Sequence, residues 1–389
     1  RFGPYFTDAH RTPWGDAVNV AEAASDGVRR YFIENAVGWI RDHHVDGLRL
    51  DAVHAIVDPT PIPFVQELTR AVHAAARHEQ RTALVTIESS ANDPRIVRPE
   101  GEHGWGCDAV WDDDVHHSLR VALTGERQRY YRAYAGTADL ATAWERRWVY
   151  RGQYSPSFDR RHGAPADTID HRHFIVFGTN HDHIGNTPAG RRLLADADPA
   201  DPRHRLGASA ILLSPFTPML FMGEEYGETA PFPYFVDHGD PDLVEAVRQG
   251  RQREFADADW SGGVADPADP ATFESAVLDV TATEREPHRS RLAMYTELIR
   301  LRRELPILTD ADARQDVSVV DDAVLVVRSL PGATASLVLN FSSGAFDHRA
   351  PDPAGDVVFD SNDERWGGPG WMADRVGPWS ARLCVASVP

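Results

Sequence analysis

The sequence predicts an α/β chain built on a parallel sheet and ending in a small antiparallel β domain. Short apolar runs recur, and several end in carboxylates: Val45–Asp51, Ala83–Glu88, Cys107–Trp111, His173–Phe177 and Met219–Met222. The first two follow stretches of helical periodicity, and helix then short buried strand is the rhythm of a parallel sheet. After Pro306 that rhythm stops. Val317–Val320, Ala323–Val327, Ser336–Asn340, Val357–Asp360 and Arg382–Ala386 alternate or run apolar between Pro, Gly and Asp turns, which predicts antiparallel strands. The predicted parts are therefore 1–305 and 306–389.

Each element has its own reason. Residues 1–24, rich in Gly, Pro and aromatics, read as an ordered loop. Val28–His43 carries Tyr31, Phe32, Ile33, Val37, Trp39 and Ile40 at helical spacing, with a cap at Ser25 or Asp26. Prolines interrupt 53–63. Phe64, Val65, Leu68, Val72 and Ala75–Ala76 put one apolar face on Phe64–His78. Residues 115–151 and 203–214 read as helical, and a polar insert follows Glu225 to about Pro270. Arg289–Glu304 is an Arg-rich helix with Leu292, Tyr295, Leu298, Ile299 and Leu301.

Composition narrows the function. The net charge of −19 disfavours nucleic acid and anionic membrane as partners, since both call for a basic face. A neutral substrate suits it. The chain contains no Lys, which removes Schiff-base and P-loop chemistry. Cys107 and Cys384 stand far apart in no metal or redox spacing, so no cofactor is expected and the composition suits a reducing cytoplasm. The longest apolar run, Ala208–Met222, holds Pro215 and Pro218 and is too interrupted to span a bilayer. The chain begins at Arg1 rather than Met and reads as part of something longer.

Reactive groups of parallel α/β proteins sit past the carboxyl ends of strands. Asp51, Glu88 and Asp182 hold such positions. Arg49 lies two residues before Asp51, on the same side of a strand, where a cation favours the carboxylate form. Taken alone, Arg49 and Asp51 are better explained as an ion pair closing a strand end. Three strand-end acids together suit a retaining glycosidase, with one carboxylate as nucleophile and a second as proton donor. His181 beside Asp182 suits contact with sugar hydroxyls. Trp14, Trp105, Trp111, Tyr226, Phe232 and Tyr234 could stack on sugar faces or belong to the core. The His pairs, such as His171-x-His173 and His181-x-His183, leave open a zinc hydrolase, although their neighbours suit sugar binding better and no metal is expected.

The motifs resemble those of the α-amylase superfamily of glycoside hydrolases. Asp-Gly-Leu-Arg-Leu-Asp51-Ala-Val-His54 is similar to its nucleophile motif, Ile87-Glu88-Ser to its acid/base motif, and Thr-Asn180-His-Asp182 to its transition-state-stabiliser motif; Phe221-Met-Gly-Glu-Glu225 resembles its eighth-strand segment. Gly3–Asp8, Thr12–Asn19, Glu88–Arg95, Trp111–His117, Leu123–Glu126, Leu213–Glu225 and Asp269–Glu274 resemble more narrowly the malto-oligosyltrehalose trehalohydrolase family. Val115, His183 and Tyr226 depart from that pattern.

The resemblance implies a (β/α)8 TIM-type barrel of which strands four to eight are present. It implies release of trehalose from maltooligosyl trehalose by a retaining mechanism. It assigns Asp51 as nucleophile, Glu88 as proton donor and Asp182 as stabiliser, with Arg49, His54, Asp113, Asp114, His116, His117, His181 and Asn186 at the sugar. Strands one to three would lie upstream of Arg1, so a closed, active barrel is expected only with that segment, in cis or from another chain. A branching or debranching enzyme with the same three acids, and a carbohydrate-binding remnant, are the competing expectations.

Overall fold

The computed structural model describes residues 3–255, 264–347 and 355–387. The amino-terminal elements are β1 (Phe6–Thr12), β2 (Gly15–Val18), α1 (Asp26–Arg41), β3 (Gly47–Leu50), α2 (Phe64–His78), β4 (Leu84–Ile87), β5 (Ala109–Trp111), α3 (Asp113–Thr124), α4 (Thr137–Arg146), the short β6 (Tyr154–Ser155) and β7 (Arg160–Arg161), and β8 (Phe174–Phe177). Then come α5 (His181–Gly185), α6 (Pro202–Leu212), β9 (Thr217–Met219), α7 (Pro241–Glu254), α8 (Pro270–Glu274) and α9 (His288–Glu304). The carboxy-terminal strands are β10 (Arg314–Val320), β11 (Ala323–Leu330), β12 (Ala333–Asn340), β13 (Phe346–Asp347), β14 (Asp356–Asp360), β15 (Arg375–Val376) and β16 (Ser380–Ser387). Two compact units result, Arg1–Asp114 with Thr142–Val176, and Val115–Ala141 with Phe177–Pro389.

In the first unit β3, β4, β5 and β8 pair in parallel, in that order. Val85, Ile87, Val110, Phe174 and Val176 fill the core around them. Helices α1 and α2 pack together. Pro63 precedes α2 and has no side-chain acceptor, so Asp58 takes the first amide instead, accepting from Phe64 N at 2.6 Å. Arg29 of α1 ties this corner together through Asp58 and Glu67, each at 2.7 Å.

The second unit contains the antiparallel sheet β10–β11–β12–β16–β14. Helix α6 is buried from Arg205 to Leu212, with Leu206, Ala208, Ala210, Ile211 and Leu212 in the core and Ser209 bonded back to Arg205 O; it packs against β16 and α9. Within the sheet Arg382 donates to Asp360 at 2.8 Å, and both side chains are 2% exposed.

The parallel sheet and the antiparallel sheet after residue 306 stand where the sequence puts them. Three local readings change. Residues 6–18 form the hairpin β1–β2, whose exposed strands lack the apolar alternation that announces a strand. Residues 115–151 break into α3, a 3-10 turn and α4, with Gly125 and Gly136 at φ of +72° and +80°, a conformation that ends helices and favours glycine. The fifth strand is Thr217–Met219, and the chain turns over itself beyond it, with Glu224 N bonded to Phe221 O. The polar insert holds α7; its residues 256–263, and residues 1–2 of the predicted loop, lie outside the described residues. No helix among the described residues is long and apolar enough to cross a membrane.

Replacing Arg382 with Ala leaves Asp360 charged and unpaired in the sheet interior, which costs about 3–5 kcal/mol. Urea unfolding should show a lower midpoint at unchanged m. Removing the exposed Arg314, paired with Asp316, should leave the midpoint nearly unmoved.

Candidate functional site

The strand ends of the first unit converge on one guanidinium. Register pairs Leu50 with Ile87, so Asp51 and Glu88 leave adjacent strands side by side. The backbone ladder runs on beyond both strands, through Glu88 N to Leu50 O at 2.9 Å and Val53 N to Glu88 O at 3.0 Å. Between these Ala52 takes a left-handed conformation at φ 45°. That turn aims its amide at Glu88, which accepts from Ala52 N at 2.6 Å.

Arg49 pairs with Asp51 through Nη1, and its Nη2 stands 3.3 Å from Glu88 Oε2 in ionic contact without hydrogen-bond geometry. Its guanidinium lies 4.3 Å from the centre of the Trp111 ring. Trp111, a candidate sugar platform in the sequence, is instead the floor under Arg49 and is 9% exposed. The Asp51 side chain is 73% exposed and that of Glu88 20%. An open carboxylate beside a recessed one, held by a single cation, suits two different tasks at one bond. His54 is exposed on the turn just after Asp51.

The next strand end is built differently. Asp114 is buried and accepts from Asn92 Nδ2 at 2.9 Å, Val149 N at 2.8 Å and Tyr150 N at 3.1 Å. Its Oδ2 serves two backbone amides and the Asn92 side chain. Asp113 is partly exposed in the first turn of α3.

In the second unit His116 and His117 face inward. His116 is completely buried, donates from Nδ1 to Gly178 O at 2.8 Å, and stacks on His183 with ring centres 3.8 Å apart. His117 packs against Tyr131 and Tyr134. Burial and the neighbouring imidazoles push His116 and His183 well below the usual histidine range, and burial beside Arg120 pushes His117 down to about 3. The expectation that the His116 and His117 rings donate to sugar hydroxyls thus meets rings enclosed by protein. Spacing alone did not reveal which face of α3 they occupy.

Asp182 lies in the first turn of α5, where Asn180 caps the helix by accepting from His183 N at 2.8 Å. The Asp182 and His181 side chains are 45% and 44% exposed, 3.6 Å apart. Asn186 ends α5 and is gripped by residues the sequence reading did not single out. Arg251 of α7 donates to Gly185 O at 2.7 Å and Asn186 Oδ1 at 3.2 Å, and Arg129 donates to Asn186 O at 3.2 Å. Arg251 lies against the rings of Tyr234 and Phe255. No group of three or more His, Cys, Asp or Glu among the described residues could hold a metal ion.

Comparison with known proteins adds the lineage. No family model matches the chain. It is 45% identical to the malto-oligosyltrehalose trehalohydrolase of Arthrobacter ramosus over 316 residues, which is 81% of this chain and 54% of that one. The chain is a relative of the malto-oligosyltrehalose trehalohydrolases. The enzyme of that name from Saccharolobus solfataricus is 39% identical over 304 residues, 78% of this chain and 51% of its own. The chain spans about half the length of these curated relatives. A crystal structure of a candidate alpha amylase from Salmonella typhimurium superposes with a TM-score of 0.84 at 32% identity, covering 98% of this chain and 64% of that one.

Two outcomes follow from this geometry. Asp114→Ala takes this acceptor from the buried amides of Val149 and Tyr150 and should lower stability by about 2–4 kcal/mol in urea unfolding. Histidine NMR should show no titration of His116, His117 or His183 between pH 5 and 8. Because the unfolded chain protonates these rings below about pH 6.5 and the folded chain does not, stability should fall as pH drops through that point.

Proposed function

We propose that the chain carries the catalytic groups of a retaining glycoside hydrolase that cleaves the α-1,4 bond next to the terminal trehalose unit of maltooligosyl trehalose and releases trehalose. The observation that carries this reading is the single Arg49 guanidinium in contact with both Asp51 and Glu88. Asp51 attacks the anomeric carbon while Glu88 protonates the departing oxygen. Water then opens the glycosyl ester with Glu88 as base. Asp182, with His181, stabilises positive charge on the ring. Arg49 orients Asp51, and His54, Asp113 and Asn186 are assigned to the sugar; Asp114 braces its own strand end, and His116 braces the turn before Asp182 through Gly178 O. Strands β3, β4, β5, β8 and β9 correspond in this reading to strands four to eight of a (β/α)8 barrel. Residues 1–305 form the catalytic part and 306–389 a β domain, working without a cofactor in the cytoplasm, where the unpaired Cys107 and Cys384 stay reduced.

Incubating the full-length protein with maltooligosyl trehalose tests the reading. Proton NMR should show free trehalose and a shortened chain whose new reducing end is first α. Asp51→Asn and Glu88→Gln should each lower turnover at least ~100-fold. A β product, a new α-1,6 branch, or full activity in either variant would overturn it.

A further inference from the structure

The turn that carries Asp182 is held from behind at a point the proposed chemistry does not use. Thr179, 5% exposed and three residues before Asp182, donates its hydroxyl to Glu224 Oε2 at 3.2 Å. Glu224 follows β9, is half-buried, and lines a cavity of about 200 Å³. Leu119, Leu123 and Ile211 form part of the apolar wall. The same turn has two further anchors, His116 on Gly178 O and Asn180 on His183 N. We propose that Glu224 is a positioning residue: through Thr179 it locks the turn that presents Asp182.

The charges around Glu224 explain why this acid is suited to hold the lock in its neutral form. Arg192 is committed to Ala230 O at 2.6 Å and Met222 O at 2.9 Å. Arg203 pairs with Asp201 at 2.8 Å, and Arg291 donates to Pro199 O. Burial pushes His204 down to about 3, so that ring brings no charge, and burial holds the Tyr295 phenol well above its usual range. Glu228 is occupied by the amides of Thr229, Ala230 and Asp279 and by Tyr226 Oη. Burial, with Glu225 next to it, pushes the Glu224 carboxyl up to about 8. Ionisation would put a charge beside Glu225 in a buried setting, offset only in part by the Arg192 guanidinium, whose Nη2 has no hydrogen-bond partner among the described residues. Water entering the cavity would then compete for Thr179. A glutamine keeps the acceptor and cannot ionise.

The inference rests on the reading of Asp182 as a group that acts on the sugar, whereas the lock itself does not. Hydrogen exchange over residues 179–184, corrected for intrinsic rates, reads the lock directly in the full-length protein. Wild type should lose protection by up to about tenfold per pH unit between the ordinary glutamate range, near 4.5, and about 8 and level off above it, Glu224→Gln should stay flat, and Glu224→Leu should lose protection at every pH. Should Glu224→Leu fail to fold, Thr179→Val breaks the same bond from the other side and should give the same loss. In turnover assays Glu224→Leu should lower kcat with little change in KM, and Glu224→Gln should restore it. Equal protection in Glu224→Leu, Thr179→Val and wild type, or the same pH dependence in wild type and Glu224→Gln, would overturn the proposal. If protection behaves as expected while Asp182→Asn keeps full turnover, the assignment of Asp182 fails and the lock stands.

Discussion

The contact of Arg49 with two carboxylates is the constraint around which the first unit is arranged. It requires β3 and β4 to be parallel and in register, so that Asp51 and Glu88 emerge together. It also requires the chain to turn sharply at Ala52, which brings an amide onto Glu88, and an aromatic floor at Trp111 on which the guanidinium can rest. Arginine suits this post because its fork reaches two acceptors from one plane and its face stacks on a ring. A lysine has no such plane, and this chain contains none.

The second unit solves a related problem by other means. Asp182 and His181 are open to solvent on a five-residue helix, too short to be stable by itself. Its stability comes from its surroundings: the Asn180 cap, the buried His116–His183 stack, the Thr179–Glu224 bond and the Arg251 grip on its last turn. Neutral imidazoles suit this interior, because stacked rings that both carried charge would repel in a medium that screens poorly.

What was legible in the sequence follows from which forces act locally. The runs ending at Leu50, Ile87 and Trp111 were readable because a short apolar stretch between polar turns has few other homes, and Phe64–His78 because its apolar face repeats at helical spacing. The β1–β2 hairpin was not, since its strands are held by backbone bonds and bury little beyond Ala17. Helix α7 was hidden because it has no buried residue, and its contribution comes from one arginine whose partners lie 65 residues away in sequence. The three candidate acids were proposed from their place after apolar runs; Asp51 and Glu88 directly follow β3 and β4, whereas Asp182 lies in α5. The direction of Asp114, His116 and His117 was not legible, because a run of polar residues at a helix start does not say which of them face inward. Glu224 was visible only as part of a motif; its tie to Thr179 is a product of tertiary packing.

The most direct measurement of the central claim is covalent trapping. The full-length Glu88→Gln protein would be incubated with a maltooligosyl fluoride, whose fluoride leaves without an acid, and digested for mass spectrometry. The account predicts a glycosyl ester on the peptide containing Asp51, absent from Asp51→Asn. An adduct on another carboxylate, or turnover with none formed at Asp51, would contradict it.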